Sequence, residues 1–378
     1  RYTMTELSPA VALTRELVAF DTINPPGRES ACVEHLVRRL EAAGFACTLQ
    51  PIGEGRANLL ARIGRRDAPG LVFTGHVDTV PLGAKPWSAA PFGEIKDGRL
   101  YGRGSSDMKS GIAAFVVAAV ERAAALKDGP EVVLAITAGE ETGCDGALAM
   151  AEAGVLPKAA ALLVGEPTGN QPMIGHKGAL WLKAETAGVT AHGSMPELGD
   201  NAVYKAARAI GRLADFDFNV ARHPVLGPPT LNVGKVSGGL NINSVPDRAE
   251  ILVDVRTIPG MNHATVREAL TEVIGENAGI TTLFDLEGVW TEPDAPWAAR
   301  AIACACAVLG QRFAPQSAPF FTDASVLTPA LGHPPTIILG PGETAQAHQT
   351  DEYAELAKID AAVEIYGAIL DDWRSFGR

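Results

Sequence analysis

Residues 71–81 read LVFTGHVDTVP. Leu71–Thr74 is a short apolar run closed by Gly75, the pattern of a strand buried on both faces. His76 and Asp78 follow at once. Open parallel sheets build their sites this way, because functional side chains gather beyond the carboxyl ends of the strands. The arrangement recurs twice. Glu131–Ala138 (EVVLAITA) leads into Glu140 and Glu141, and Ala161–Val164 leads into Glu166 in GEPT. Between the first two, YGRGSSDMKSG sets Asp107 at the opening of residues 108–126, an Ala-rich stretch that reads as one long helix. Upstream, residues 30–40 (SACVEHLVRRL) put Val33, Leu36, Val37 and Leu40 on one helical stripe. The alternation predicts an α/β domain with a mainly parallel central sheet and helices on its faces.

The rhythm changes after Gly175. Leu180–Thr186 is strand-like, and Asn201–Leu213 is helical. Thr230–Val236 and Ala249–Arg256 are β-rich and flank the loop SGGLNINSVPD. A helix near Ala264–Ile274 and a strand near Thr281–Leu286 complete a β-α-β-β-α-β order, a small sheet with two helices. The α/β pattern then resumes with a helix at Pro296–Leu309, a strand at Thr336–Leu339 and a closing helix at Ile359–Trp373. The predicted plan is a discontinuous α/β domain from residues 1–176 and 289–378, interrupted by a smaller, lid-like α+β domain over 177–288. No repeat of 20–50 residues and no low-complexity segment appears.

The composition narrows the function. The chain has 378 residues, of which 47% are hydrophobic and 20% charged, enough apolar material for two or three domains. Its 32 Lys+Arg against 44 Asp+Glu give a net charge of −12, a poor match for nucleic acid or an anionic membrane. No apolar stretch reaches the about 18 residues that a spanning helix needs, and Gly111–Val120 reads as a buried helix segment. No basic region followed by an apolar one marks a signal peptide, and Met4 stands as a candidate native start. The five cysteines form no CxxC pair. They read as reduced structural thiols in a cytoplasmic protein rather than as a disulfide framework or a thiolate metal site.

Taken singly, the polar residues have ordinary readings. Asp107 suits a helix N-cap, Glu140 and Glu141 a solvated pair at a helix start, His76 a core histidine, Glu166 a turn before Pro167. His348, in GPGETAQAHQTDE, suits a plain loop. Together they supply two histidines and several carboxylates beside strand ends. That set suits a two-zinc site, since imidazole and carboxylate both ligate zinc and one carboxylate can bridge two ions.

GHVDTVP, GRGSSDMKSG, AGEETG, GEPT and the late AHQTDE, in this order, resemble the motifs of the co-catalytic zinc amidohydrolase and metallopeptidase superfamily. That superfamily takes in acetylornithine deacetylase, succinyl-diaminopimelate desuccinylase, aminoacylase and the carboxypeptidase G-like enzymes. The resemblance spans nearly the whole chain. It implies two divalent ions per chain, zinc with cobalt or manganese as alternatives. Asp107 would bridge them, His76 and Glu166 would complete one shell, and Glu141 and His348 the other. Glu140 would be the general base, and Asp78 would orient the His76 imidazole.

The resemblance also gives the insert a role. His192, in TAHGSMPELGDNAV, would stabilise the oxyanion from the partner subunit of a homodimer, where the bland reading is a loop histidine. Arg256, in ILVDVRTIPG, would grip the substrate carboxylate, where the alternative is a surface ion pair. Asn243, in GGLNINSVP, is a weaker candidate for the same region. Many members carry a basic residue where this chain has Met195, so no substrate contact is expected there. Deacetylase and desuccinylase members have Glu at the position of Glu166, whereas dipeptidase, aminoacylase and carboxypeptidase members usually have Asp. The expected activity is therefore hydrolysis of the amide bond of an N-acyl amino acid. The alternatives are a dipeptidase or carboxypeptidase, or a non-catalytic binding protein on the same fold.

Overall fold

The structure is a computed structural model that describes residues 7–275 and 278–376. The chain divides into two compact units. The first comprises Arg1–Gly175, Trp290–Ala318 and Thr322–Arg378, and the second His176–Val289 with Pro319–Phe321.

The first unit holds a six-stranded sheet. Its strands run in the order Ala46–Gly53, Arg56–Ile63, Val132–Thr137, Gly70–His76, Ala159–Val164, Thr336–Ile338. The last three pairings are parallel and the first two antiparallel. Gly70–His76 and Val132–Thr137 are buried at every residue, as strands covered on both faces must be. The cover includes Ser110–Glu121, which packs on Leu356–Trp373 and on Pro9–Val18. Phe73 stacks on Phe115 with ring centroids 4.0 Å apart, and Tyr366 meets both edge-on.

Local structure departs from the sequence reading in four places. The helix over 108–126 is two helices, Ser110–Glu121 and Ala123–Leu126. They break at Arg122, whose N–H bonds Ala119 O in a tight turn and whose guanidinium reaches Asp371 on the closing helix. Asp107 does not open or cap that helix. Its φ and ψ are −117° and 93°, and the helix starts at Ser110 with no side-chain cap. Glu140 and Glu141 lie in a loop rather than at a helix start, because the next helix begins at Asp145. The Ala46–Gly53 strand carries little sequence signal, since it is mostly exposed and contains Pro51.

The second unit is a four-stranded antiparallel sheet in the order Thr230–Gly238, Arg248–Thr257, Gly178–Ala187, Ala278–Leu286. The helices Ala202–Ala214 and His263–Ile274 share one core with alternate strand residues such as Ile251, Val253 and Val255. Asn201 and Asn262 cap these helices, each side chain accepting from a backbone N–H three residues on. Thus an α+β unit interrupts the α/β one, the plan expected from the change in rhythm. Among the described residues no helix is long and apolar enough to cross a membrane. All five cysteines are unbridged.

Candidate metal centre

Strand ends set the site. His76 is the last residue of Gly70–His76, and Asp78 follows directly. Val132–Thr137 delivers Glu140 and Glu141 on the loop after it, and Ala159–Val164 delivers Glu166. Gly75 allows the close approach beneath, where a Cβ would lie 2.5 Å from Met108 Cε. His348 comes from the loop between the strands Thr336–Ile338 and Tyr353–Glu355, with φ at 64°.

Asp107 lies between two groups. His76 Nε2 is 3.2 Å from Asp107 Oδ1 and 3.6 Å from Glu166 Oε1. On the other side, His348 Nε2 is 3.4 Å from Asp107 Oδ2 and 3.0 Å from Glu141 Oε2. Each trio offers ligand atoms within 4.8 Å of one another, and Asp107 is common to both. Glu140 belongs to neither trio, and its Oε2 stands 3.9 Å from His76 Nε2.

The electrostatics call for a cation. Burial pushes the Glu166 carboxyl well above its usual range, and the Asp107 charge adds to this. Burial raises Glu140 likewise, opposed by His76 and reinforced by Glu166 and Glu141. Burial also raises Glu141, with Asp107 adding to it. Hydrogen bonding to Asp107 and Glu141 lifts His348 to about 10. Burial would raise Asp107 too, but bonds to His348 and His76 hold it below the ordinary carboxylate range. Where buried acids are crowded and retain protons, a divalent ion that binds among them displaces those protons. The donor set, imidazole and carboxylate oxygen, fits zinc or a similar divalent ion.

Second contacts fix the groups. His76 Nδ1 lies 3.0 Å from the Asp78 carbonyl oxygen and 3.4 Å from its carboxylate, so the carbonyl is the nearer acceptor for an Nδ1 proton. That leaves Nε2 as the ligand nitrogen. The fully buried Asp78 carboxylate has a second task. It accepts from Glu140 N at 3.1 Å, Glu141 N at 3.2 Å and Asn24 Nδ2 at 3.0 Å, which shapes the loop carrying both glutamates.

The remaining candidates belong to the second unit. His192 is exposed, and its Nδ1 accepts from Ser194 N at 3.2 Å. In the neutral ring the proton then sits on Nε2, which makes Nε2 a donor. The Asn243 loop adjoins it, since Gly193 N donates to Asn243 O at 2.7 Å. Arg256 pairs with Asp254 at 2.9 Å and lies 5.9 Å over the Trp181 ring. Met195 is exposed.

Two polar groups escape the sequence reading, Asn24 and Glu352. Asn24 is buried and ties Asp78 to Thr142. Glu352 is fully buried and binds the backbone around Asp107. Its presence inside AHQTDE was the available signal, but His348 drew the reading of that motif as the ligand.

A mainly parallel sheet with a two-part histidine–carboxylate cluster at its strand ends defines a class of hydrolase. The sequence matches the peptidase family M20/M25/M40 over residues 72–372, and the chain belongs to that family. It is 34% identical to an acetylornithine deacetylase of Myxococcus xanthus, covering 94% of this chain and 95% of that protein. It is 31% identical to a probable succinyl-diaminopimelate desuccinylase of Staphylococcus epidermidis, covering 96% and 98%. The fold is that of an M20 family metallo-carboxypeptidase from Sulfolobus solfataricus, with a TM-score of 0.80 at 20% identity, covering 98% of this chain and 100% of that one. A dinuclear metal-binding M20 peptidase of Bacillus subtilis superposes with a TM-score of 0.74 at 17% identity, covering 97% and 98%.

Proposed function

We propose that the protein hydrolyses the amide bond of an N-acyl amino acid, in the manner of a deacetylase or desuccinylase, with two divalent ions, zinc foremost. The observation that carries this reading is Asp107, which turns one oxygen to His76 and the other to His348. In this reading His76, Asp107 and Glu166 would hold one ion, and Asp107, Glu141 and His348 the other. Such ions, when bound, lower the pKa of water towards neutrality and polarise a carbonyl.

The chain's own groups do the rest. Glu140, outside both trios, accepts the proton of the attacking water at its carboxylate and returns it to the leaving amine. Asp78 keeps Glu140 and Glu141 pointing apart by holding their two backbone N–H groups. His192, from the second subunit of a homodimer, donates Nε2–H to the oxyanion that forms on the substrate. Arg256 grips the substrate α-carboxylate, for which it would exchange its bond to Asp254, and Asn243 supports the same region. The full-length match to deacetylase and desuccinylase relatives, together with Glu rather than Asp at position 166, supports an N-acyl amino acid over a dipeptide.

Elemental analysis with a panel of N-acetyl and N-succinyl amino acids, dipeptides and their C-terminal amides tests this. About two ions per chain are expected, with turnover of N-acyl amino acids and little of the amides. Preferential turnover of dipeptides would assign a dipeptidase instead. Equal rates on acid and amide would remove Arg256 from substrate binding.

A further inference from the structure

We propose that Glu352, held by Arg103, is a positioning residue that sets Asp107 and fixes its distance from His348, and so governs occupancy of both metal subsites together. The inference rests on the reading of Asp107 and His348 as ligands.

The turn before Asp107 cannot satisfy its own backbone. Gly104 has φ at 85°, and Asp107 is not helical, so the N–H groups of this stretch point inward without helical partners. Successive N–H groups around a left-handed residue form a concavity for an anion. The anion here is the carboxylate of Glu352. Its Oε1 accepts from Ser106 N at 2.8 Å and Asp107 N at 3.0 Å, and its Oε2 from Gly104 N at 3.1 Å and Arg103 Nη1 at 2.6 Å. Arg103 Nη2 donates in turn to Pro81 O at 3.1 Å. Both members of the pair are buried, at 0% and 3% exposure, so each relies on protein partners rather than on water.

The clamp acts on both sides of the site. Glu352 lies four residues after His348, and its neighbours hold on as well. Ser106 Oγ donates to Tyr353 O at 2.7 Å, and Gly102 N donates to Glu352 O at 2.9 Å. The segment that carries His348 is therefore fastened to the turn that carries Asp107. Glutamine at this position keeps one acceptor oxygen and turns the other into an NH2 donor, so two of the four donors lose their acceptor and the turn must rearrange to find others. A shared ligand that moves disturbs both subsites at once.

The test is Glu352→Gln against a matched control, Glu131→Gln. Glu131 is also buried and pairs with Arg62 at 2.7 Å, but it precedes the Val132–Thr137 strand, at the end away from Glu140. Both variants should lose thermal stability. In calorimetric Co2+ and Zn2+ titrations, Glu352→Gln should weaken both sites about 10–100-fold, the range for outer partners of metal ligands. The Co2+ absorption spectrum should change, and kcat should fall with KM little altered. Glu131→Gln should bind both ions within about twofold of the parent, against that same 10–100-fold range. Where Glu352→Gln does not fold, Arg103→Lys keeps the charge and loses the planar fork, with about tenfold weaker binding expected at both sites. A parent that binds two ions and a folded variant that binds them as tightly overturns the inference alone. So does equal weakening by Glu131→Gln, which would reduce the effect to stability. A parent that binds no divalent ion overturns the reading of the site, and the inference falls with it.

Discussion

The two units bury their sheets in different ways. In the first, Gly70–His76 and Val132–Thr137 are buried at every residue. In the second, Arg248–Thr257 buries every other residue and leaves the rest at least partly accessible. A sheet covered on both faces has no face to give to function, so its polar chemistry is confined to the strand ends. A sheet covered on one face keeps a surface for partners or substrate. The second unit also carries two almost fully exposed apolar side chains, Leu240 at 95% and Ile242 at 102%. The proposed function uses this contrast, with chemistry in the first unit and recognition or assembly in the second, and substitutions can break that division.

The largest effect is expected at Asp107. Asp107→Ala should lose both ions, with binding weakened by more than the about 10–100-fold typical of outer partners, and turnover should vanish with them. Full occupancy in that variant, measured by elemental analysis, would show that the trios do not share a ligand. Next is Glu140→Gln, expected to keep both ions and to lose about 10²–10⁴ in kcat. Loss of metal there would mean that Glu140 and Glu141 have exchanged roles.

The third substitution carries the comparison into the second unit. His192→Ala should keep its metal and lose about 10²–10³ in kcat, the usual value of one oxyanion donor. Mixing it with Glu140→Gln protein should restore activity, because one site of a mixed dimer would hold both groups. No recovery after verified subunit exchange would place His192 in its own chain's site or outside the reaction. A fully active monomer would exclude donation between subunits.

The smallest effect is a pH dependence. Burial keeps protons on Glu166, Glu140 and Glu141 above the usual carboxylate range, and His348 holds its proton up to about 10. Ligands must shed these protons to bind an ion, so affinity should tighten as pH rises and weaken as it falls. Each proton released at a given pH corresponds to about tenfold in affinity per pH unit. Calorimetry near neutral pH in buffers of different ionisation enthalpy should register proton release. A heat independent of the buffer would show that the ligands were already deprotonated.

What the sequence revealed follows the same contrast. The buried strands were legible as apolar runs, and the second sheet as a change of rhythm, because burial on two faces or one writes itself into residue type. The metal-type side chains were legible because few residues can ligate. The turn at Asp107 was not, since nothing in GRGSSDMKSG distinguishes a helix opening from a turn whose N–H groups bind a distant carboxylate. Glu352 and Asn24 were hidden for a related reason. Glu352 holds mostly backbone, which every residue carries, and Asn24 holds Asp78 and Thr142, 54 and 118 residues away, so no local pattern of residue types marks either.

The discontinuity of the first unit sets a timetable for biosynthesis. A ribosome delivers His76, Asp107, Glu140, Glu141 and Glu166 first, and then the second unit except Pro319–Phe321, its own core of alternate strand and helix residues complete before Trp290 emerges. His348 and Glu352 follow, with Tyr366 and Trp373, whose polar atoms bond Leu339 O and Glu131 O inside the first core. The nascent chain thus carries an unfinished sheet with most of its acids while the inserted unit is already able to fold as a unit. In the proposed reading, the second trio cannot hold an ion until His348 has emerged, after the core of the inserted unit.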